Sequence, residues 1–107
     1  MKLISQHIEE IKNLCNNYFV AELYVFGSIL SSGFNKDSDI DFLVRFSGVE
    51  LSEYFDNYMD FKAGLEKLLK RNIDLLEIQT LKNPILIRSI NRNKRKVYER
   101  KDTKVVI

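Results

Sequence analysis

The fold is decided by residues 24–44, YVFGSILSSGFNKDSDIDFLV, in which two apolar runs flank a polar segment. The first apolar run begins a little earlier, at 21–26 (AELYVF), and is rich in β-branched and aromatic residues. Such residues suit a pleated, buried surface, so this run predicts a strand. The strand is expected to end at Gly27 and Ser28, where the chain turns.

The second apolar run, at 39–46 (DIDFLVRF), follows a polar connection at 31–38. The run alternates at first and then becomes continuously apolar, a pattern that predicts a second strand. Asp39 and Asp41 stand at its beginning.

The remaining elements follow from the spacing of apolar residues and from the single proline, Pro84. We expect helices at 3–15, 51–69 and 84–93, and further strands at 73–78 and 97–98. The resulting order predicts an α/β (α+β) fold, in which helices flank a mixed sheet of about four strands.

The chain has 107 residues, 45% of them hydrophobic, which suffices for one core and is an ordinary size for one domain. We therefore expect residues 1–107 to form a single domain. Cys15 is the only cysteine, which excludes an internal disulfide, and the N-terminus lacks the continuous apolar segment of a signal peptide. No stretch approaches the roughly 18 to 20 apolar residues that span a bilayer. A reducing, cytoplasmic setting without a membrane partner is expected.

Charge is uneven along the chain, although the net charge is only +2. Residues 1–81 contain 8 Lys or Arg and 13 Asp or Glu, whereas residues 82–107 contain 9 and 2. Such an asymmetry is compatible with an acidic site that binds a cation and a basic region that binds phosphate or an acidic partner. A run of charged residues is, however, more often a surface exposed to solvent. Because Tyr98 is the only aromatic residue in the basic region, nucleic acid is not the expected partner.

Three carboxylates are the candidate metal ligands. Side chains at i and i+2 of a strand share one face about 7 Å apart, so Asp39 and Asp41 are expected to project together. Two neighbouring carboxylates repel each other unless a hard divalent cation lies between them, and Mg²⁺ is the natural candidate. Asp74, on the apolar third strand, completes a triad that could hold two metal ions about 4 Å apart.

Gly27 and Ser28 are the candidate phosphate-binding turn. A glycine lets the backbone approach a ligand closely, and a short helix opening after it would offer N–H groups to a phosphate. Ser28 adds a hydroxyl donor. The turn is not a Walker A loop, because no Gly-Lys-Ser/Thr follows it.

These residues resemble the DNA polymerase beta-like nucleotidyltransferase superfamily, and specifically its small MNT-type branch. The matching pattern is Gly27-Ser28, ten residues, then Asp39-x-Asp41, with a third acid later in the apolar strand NIDLLEI. The resemblance continues through LKNPILIRSI and VYE and so covers nearly the whole chain. It implies the polymerase beta-like nucleotidyltransferase fold.

The resemblance also implies roles for the site residues. Gly27 and Ser28 would hold the nucleoside triphosphate, with ATP as the expected substrate. Asp39 and Asp41 would bind both of two Mg²⁺ ions. Asp74 would bind one of them and help to activate the acceptor hydroxyl. The implied reaction is in-line attack on the α-phosphate with release of pyrophosphate, catalysed mainly by positioning and charge neutralisation.

The chain departs from the family pattern after the motif serine. Many relatives carry a basic residue and a glycine three and four positions later, where this chain has Ser31 and Ser32, with Gly33 one position late. Lys36, in the same polar segment, is the candidate replacement cation for binding the nucleotide. The departure motivates an alternative function, a non-catalytic module that binds a toxin or senses nucleotide.

The acceptor is expected to come from another molecule. Larger relatives join the catalytic unit to a domain that presents the acceptor, and this chain has no room for one. In the small branch, the resemblance implies an antitoxin that neutralises a helical HEPN toxin by complex formation and by transfer of AMP to a tyrosine. Transfer to a small molecule such as an aminoglycoside, or to an RNA end, is a further hypothesis, and formation of a homo-oligomer stays open.

Several conspicuous residues are expected to be structural. His7 and Cys15 fall on the apolar stripe of the first helix, and Glu77 is expected on the strand face opposite Asp74. An aromatic stripe on the long helix is expected to be mostly core, although an exposed part could contact a partner helix. This stripe consists of Tyr54, Phe55, Tyr58 and Phe61.

Overall fold

Helices and strands follow the predicted order in a computed structural model that describes residues 1–101. Residues 102–107, which include Lys104 of the basic region, lie outside the described part of the chain. The helices are α1 (Lys2–Gln6), α2 (Ile8–Asn17), α3 (Tyr54–Leu69) and α4 (Pro84–Asn93), and the strands are β1 (Val20–Phe26), β2 (Ile40–Phe46), β3 (Ile73–Glu77) and β4 (Arg95–Glu99). Short 3₁₀ helices lie at Gly27–Leu30, Leu51–Glu53 and Ile78–Thr80.

The strands form one mixed sheet in the order β3-β2-β1-β4. β1 pairs antiparallel with both β2 and β4, whereas β2 and β3 are parallel. Parallel neighbours need a crossover connection, and α3 provides it. The predicted mixed four-strand sheet with flanking helices is confirmed.

One face of the sheet carries the main core, because alternate residues of β1 and β2 point toward α2 and α3. Ile11 of α2, Phe42 of β2 and Phe61 of α3 are all fully buried in it. On the other face Leu43 is buried and lines a small cavity with Ile90 of α4. Asp41 lies on this face near the beginning of β2, two residues before Leu43.

The ends of the elements differ from prediction in a few places. The predicted first helix is divided into α1 and α2, because His7 between them adopts a non-helical conformation. α2 continues through Asn17, whereas the prediction ended the helix before Asn16. Local hydrogen bonding explains the break, since His7 Nδ1 lies 3.0 Å from the Leu3 carbonyl oxygen. β2 begins at Ile40, one residue later than predicted.

The aromatic stripe of α3 is only partly core. Phe61 is fully buried and Tyr54 and Tyr58 are half-buried, but Phe55 is 71% exposed. Phe55 is thus the exposed part of the stripe, because adjacent helical residues point about 100° apart and the neighbour of an inward residue faces outward. None of the helices described within residues 1–101 is long and apolar enough to cross a membrane.

Candidate active site

The turn at Gly27 is built so that only glycine fits. Its φ angle is +77°, in the left-handed region that L-residues with side chains avoid. A Cβ placed there would also overlap Oδ2 of Asp41, closer than any ordinary carbon–oxygen contact. The absence of a side chain at Gly27 therefore makes room for the Asp41 carboxylate, in addition to permitting the turn.

Ser28 connects the turn to two of the predicted acids. Its Oγ donates a long hydrogen bond of 3.4 Å to the carbonyl oxygen of Asp39. Its backbone N–H also lies close enough to the Asp41 carboxylate to lower the pKa of that group. The turn and the start of β2 thus form one connected unit, and the long Oγ contact leaves the Ser28 hydroxyl free to turn toward a ligand.

Asp41 and Asp74 are brought together by the parallel pairing of β2 with β3, in which they are direct partners. Burial raises the pKa of Asp41 most, and the nearby charges of Asp74 and Asp39 and a hydrogen-bonding contact with Asp74 raise it further. The Ser28 N–H opposes these effects without cancelling them. A carboxyl group whose charge is disfavoured in this way is stabilised by a cation placed between it and its neighbours.

The donors fit a hard divalent cation, because carboxylate oxygens are the ligands that Mg²⁺ prefers. The triad is nevertheless not preassembled: within residues 1–101, no three His, Cys, Asp or Glu side chains converge as a metal site. Asp41 contacts Asp74, whereas Asp39 is exposed and affects Asp41 through its charge alone. Coordination by all three carboxylates would require the Asp39 side chain to turn inward.

Lys36 lies apart from the acid pair. It lines an open polar recess of about 450 Å³ together with Asp39, Glu66 and Lys70. Neither Asp41 nor Asp74 lines this recess. The structure therefore brings Gly27, Ser28, Asp41 and Asp74 together, leaves the Asp39 side chain exposed, and places Lys36 with Asp39 in a separate recess.

Ser31, which occupies the position where many relatives carry a basic residue, closes the turn on itself. Its Oγ donates to the Ser28 carbonyl oxygen at 2.9 Å and accepts from the Gly33 N–H at 3.3 Å. Both bonds are local, so they stabilise the backbone of the turn and add no charge to it.

Arg71 was not predicted from the sequence, although it contacts the loop that leads into β2. Its Nη1 donates to the carbonyl oxygens of Asn35 and Ser38 at 3.1 and 3.0 Å. Its guanidinium also lies 4.7 Å from the ring centre of Phe34. No sequence signal points to this contact, because it joins positions more than 30 residues apart.

The residues expected to be structural lie away from the acids. Cys15 is fully buried, and burial raises its pKa to about 12. Glu77 is a neighbour of Tyr54, whose pKa is raised to about 12 by burial and by Glu77. Since Tyr54 belongs to α3, Glu77 faces the helix side of the sheet, opposite Asp74, as predicted.

Comparison with known proteins places this geometry in a family. The model of the family "Polymerase beta, Nucleotidyltransferase" matches residues 9–103. A relative from Methanocaldococcus jannaschii, named "Putative protein adenylyltransferase MJ1379", is 33% identical over 95 residues, which cover 84% of this chain and 93% of the relative.

Two solved structures show the same fold. One, "Structure of putative minimal nucleotidyltransferase", matches with a TM-score of 0.72 and 26% identity over 88% of this chain and 92% of the other. The second is a chain from the complex of a tri-AMPylated Shewanella oneidensis HEPN toxin with an MNT antitoxin. It matches with a TM-score of 0.63 over 94% of this chain and 76% of the other, and at 14% identity this likeness shows the fold alone.

The family model covers most of the chain, and the M. jannaschii relative matches over nearly its whole length. In this chain the fold places the turn at Gly27 and Ser28 beside Asp41 of β2 and Asp74 of β3. The chain therefore belongs to the polymerase beta nucleotidyltransferase family, and it is similar to a protein described as a putative minimal nucleotidyltransferase.

Proposed function

We propose that the chain transfers AMP from ATP to a tyrosine hydroxyl of a HEPN-type partner toxin and acts as its antitoxin. The observation that carries the proposal is the pairing of Asp41 with Asp74 directly beside the Gly27 turn. The name of the M. jannaschii relative and the AMPylated toxin in the Shewanella oneidensis complex support AMP as the transferred group and a toxin as the acceptor.

Asp39, Asp41 and Asp74 are the proposed metal ligands, and Gly27, Ser28 and Lys36 the proposed nucleotide-binding residues. When bound, Mg²⁺ supplies neutralisation of the triphosphate charge and polarisation of the α-phosphate. The absence of a side chain at Gly27 allows phosphate oxygens to approach the turn, and Ser28 Oγ donates to one of them. Lys36 adds a positive charge from the loop.

Asp74 is the proposed proton acceptor, because it is exposed on an edge strand where an acceptor from another molecule can reach it. The tyrosine oxygen forms a bond to the α-phosphorus while its proton passes to Asp74. The bond from the α-phosphorus to the oxygen of the β-phosphate breaks, and pyrophosphate leaves with that electron pair.

The direct test uses the purified chain and a candidate HEPN-type helical protein, incubated with Mg²⁺ and ATP labelled at the α-phosphate. We expect label on a tyrosine of the partner, located by mass spectrometry. Asp41→Asn and Asp74→Asn should each reduce the rate by about 100-fold or more, since each removes a charge that the reaction uses. Asp60→Asn, an exposed acid of α3, is the matched control and should leave the rate unchanged.

The outcomes separate this proposal from its alternatives. A complex that forms without label on the partner would exclude transfer to that protein. Neutralisation of toxicity in cells that survives the double substitution of Asp39 and Asp41 by Asn would show that binding alone is the function. Label on an added aminoglycoside or on an RNA end, with none on the partner, would assign a different acceptor.

A further inference from the structure

The loop between β1 and β2 is held mainly by its own short-range hydrogen bonds. The Asn35 N–H donates to Ser38 Oγ at 3.1 Å, and the Asp37 N–H donates to the Asn35 side-chain oxygen at 2.8 Å. The Ser38 N–H donates back to the Asn35 carbonyl oxygen at 3.0 Å. These bonds fix the shape of the loop but do not fix its position relative to the sheet.

The junction between α3 and β3 supplies that position. Arg71 donates from one nitrogen to the carbonyl oxygens of Asn35 and Ser38. The next residue, Asn72, accepts the backbone N–H of Ile40 at 3.1 Å. Asp39 lies between these two attachments, and Asp74 follows two residues after Asn72.

The stacking contact adds a third attachment. The guanidinium of Arg71 lies over the half-buried ring of Phe34, which itself packs against the main core. A planar guanidinium can donate in its plane and stack through its face at the same time, which a lysine ammonium cannot do. The contact set is therefore specific for arginine.

We propose that Arg71 is a positioning residue, which sets the loop carrying Lys36 and Asp39 at a fixed distance from Asp74. Arg71 Nη1 donates to two backbone carbonyl oxygens of the loop, and through these contacts it acts on the site. The effect of Arg71 on nucleotide binding rests on the proposed function. The contact of Arg71 with the loop does not depend on that proposal.

The test compares Arg71→Gln and Arg71→Lys with the wild-type chain, and Lys67→Gln of α3 serves as a control that removes a nearby exposed charge without a loop contact. Hydrogen exchange of the Ile40 amide, which donates to the Asn72 carbonyl oxygen across the junction, reports the position of the loop when it is followed by NMR on the protein alone. Both Arg71 variants should exchange about tenfold faster or more at this amide, because the adjacent attachment of Ser38 to a charged group is lost. Amides of β2 beyond Phe42 should keep their rates.

Calorimetric titration with Mg²⁺ and ATP reports the consequence for binding. Arg71→Gln and Arg71→Lys should both weaken binding by about tenfold, and Lys67→Gln should not. Unchanged exchange at Ile40 in Arg71→Gln would overturn the positioning role. Wild-type affinity in Arg71→Lys would also overturn it, because charge alone would then suffice. A wild-type chain that binds no nucleotide would count against the proposed function, and the exchange rates would still decide the role of Arg71.

Discussion

Asp41 and Asp74 stand directly opposite each other on the parallel strands β2 and β3, and the charge of Asp74 raises the pKa of the Asp41 carboxyl group. Folding thus brings two like charges together at a site where burial already disfavours charge. Such an arrangement costs stability in the protein alone and is useful when a cation binds there.

Asp41→Asn should therefore stabilise the metal-free protein at pH 7. Burial, followed by the charges of Asp74 and Asp39, raises the pKa of Asp41 in the folded state. Folding thus favours the protonated form of Asp41. The stabilisation of the folded state by this protonated form is present at low pH and is lost as the pH rises through the raised pKa. Urea unfolding in EDTA should show a higher free energy of unfolding for the variant at pH 7, and a much smaller gain at pH 3.

Asp60→Asn is the control for this comparison, because Asp60 is exposed on α3. Its free energy of unfolding should match that of the wild type at both pH values within about 0.5 kcal/mol. A loss of stability in Asp41→Asn at pH 7 would mean that the carboxylate is better solvated than its position indicates.

Gly27→Ala should destabilise the protein through two separate effects. The positive φ angle costs a residue with a side chain about 1–2 kcal/mol, and the new Cβ overlaps Oδ2 of Asp41. We expect the free energy of unfolding to fall by roughly 2 kcal/mol or more. Gly33→Ala should change it by less than about 0.5 kcal/mol, since a Cβ there meets its nearest atom at an ordinary 3.7 Å.

The overlap can be separated from the backbone strain. In a background of Asp41→Ala the clash disappears and only the strain remains, so Gly27→Ala should cost less there than in the wild-type chain. An equal cost in both backgrounds would show that the Asp41 carboxylate moves aside freely.

Local sequence rules were sufficient for most of the fold. α4 begins at Pro84, as predicted, because Asn83 caps it by accepting the N–H groups of Ile85 and Leu86. The strands were found because their composition changes abruptly at Gly27 and Gly48. Each of these signals lies within a few residues of the structure that it determines.

The parts of the site that depend on distant contacts could not be predicted in the same way. That Asp74 faces Asp41 rather than Asp39 depends on the register of two parallel strands, which no local pattern specifies. The attachment of Arg71 to the loop likewise depends on where α3 ends in space. The roles of the predicted site residues remain predictions, which the substitutions above would test.

Cys15 should be unreactive toward thiol reagents in the folded protein. It is fully buried, and burial raises its pKa to about 12, so the reactive thiolate is scarce at neutral pH. Labelling with a disulfide reagent at pH 7.5 should be slower by about 1000-fold or more than in urea, because it requires unfolding. A Ser52→Cys variant in a Cys15→Ala background should label rapidly, since Ser52 is exposed. Equally rapid labelling of native Cys15 would reveal a local opening of α2.

The ion pair between Glu22 and Arg45 should make the free energy of unfolding depend on pH in the acid range. On the sheet face that also carries Asp41, Glu22 accepts from the Tyr24 hydroxyl and from Arg45 Nε, both at 2.7 Å. The hydrogen bond from Tyr24 is the largest cause that lowers the pKa of Glu22, and the contacts with Arg45 add to it against the effect of burial. A lowered pKa means that the ionised carboxylate is favoured by folding.

The stabilisation from Glu22 is accordingly complete above its unfolded pKa and is lost as the pH falls through the lower folded value. At pH 7, Glu22→Gln should reduce the free energy of unfolding by about 1 kcal/mol, a value typical of a partly exposed charged hydrogen-bond pair. The difference from the wild type should shrink steadily below about pH 4.5. Glu9→Gln, which removes an exposed carboxylate in the first turn of α2 that pairs with Lys12 at 3.8 Å, should show a difference of less than about 1 kcal/mol. A loss in Glu22→Gln that stays constant from pH 7 to pH 3 would mean that shape, and not the charge of Glu22, stabilises this part of the sheet.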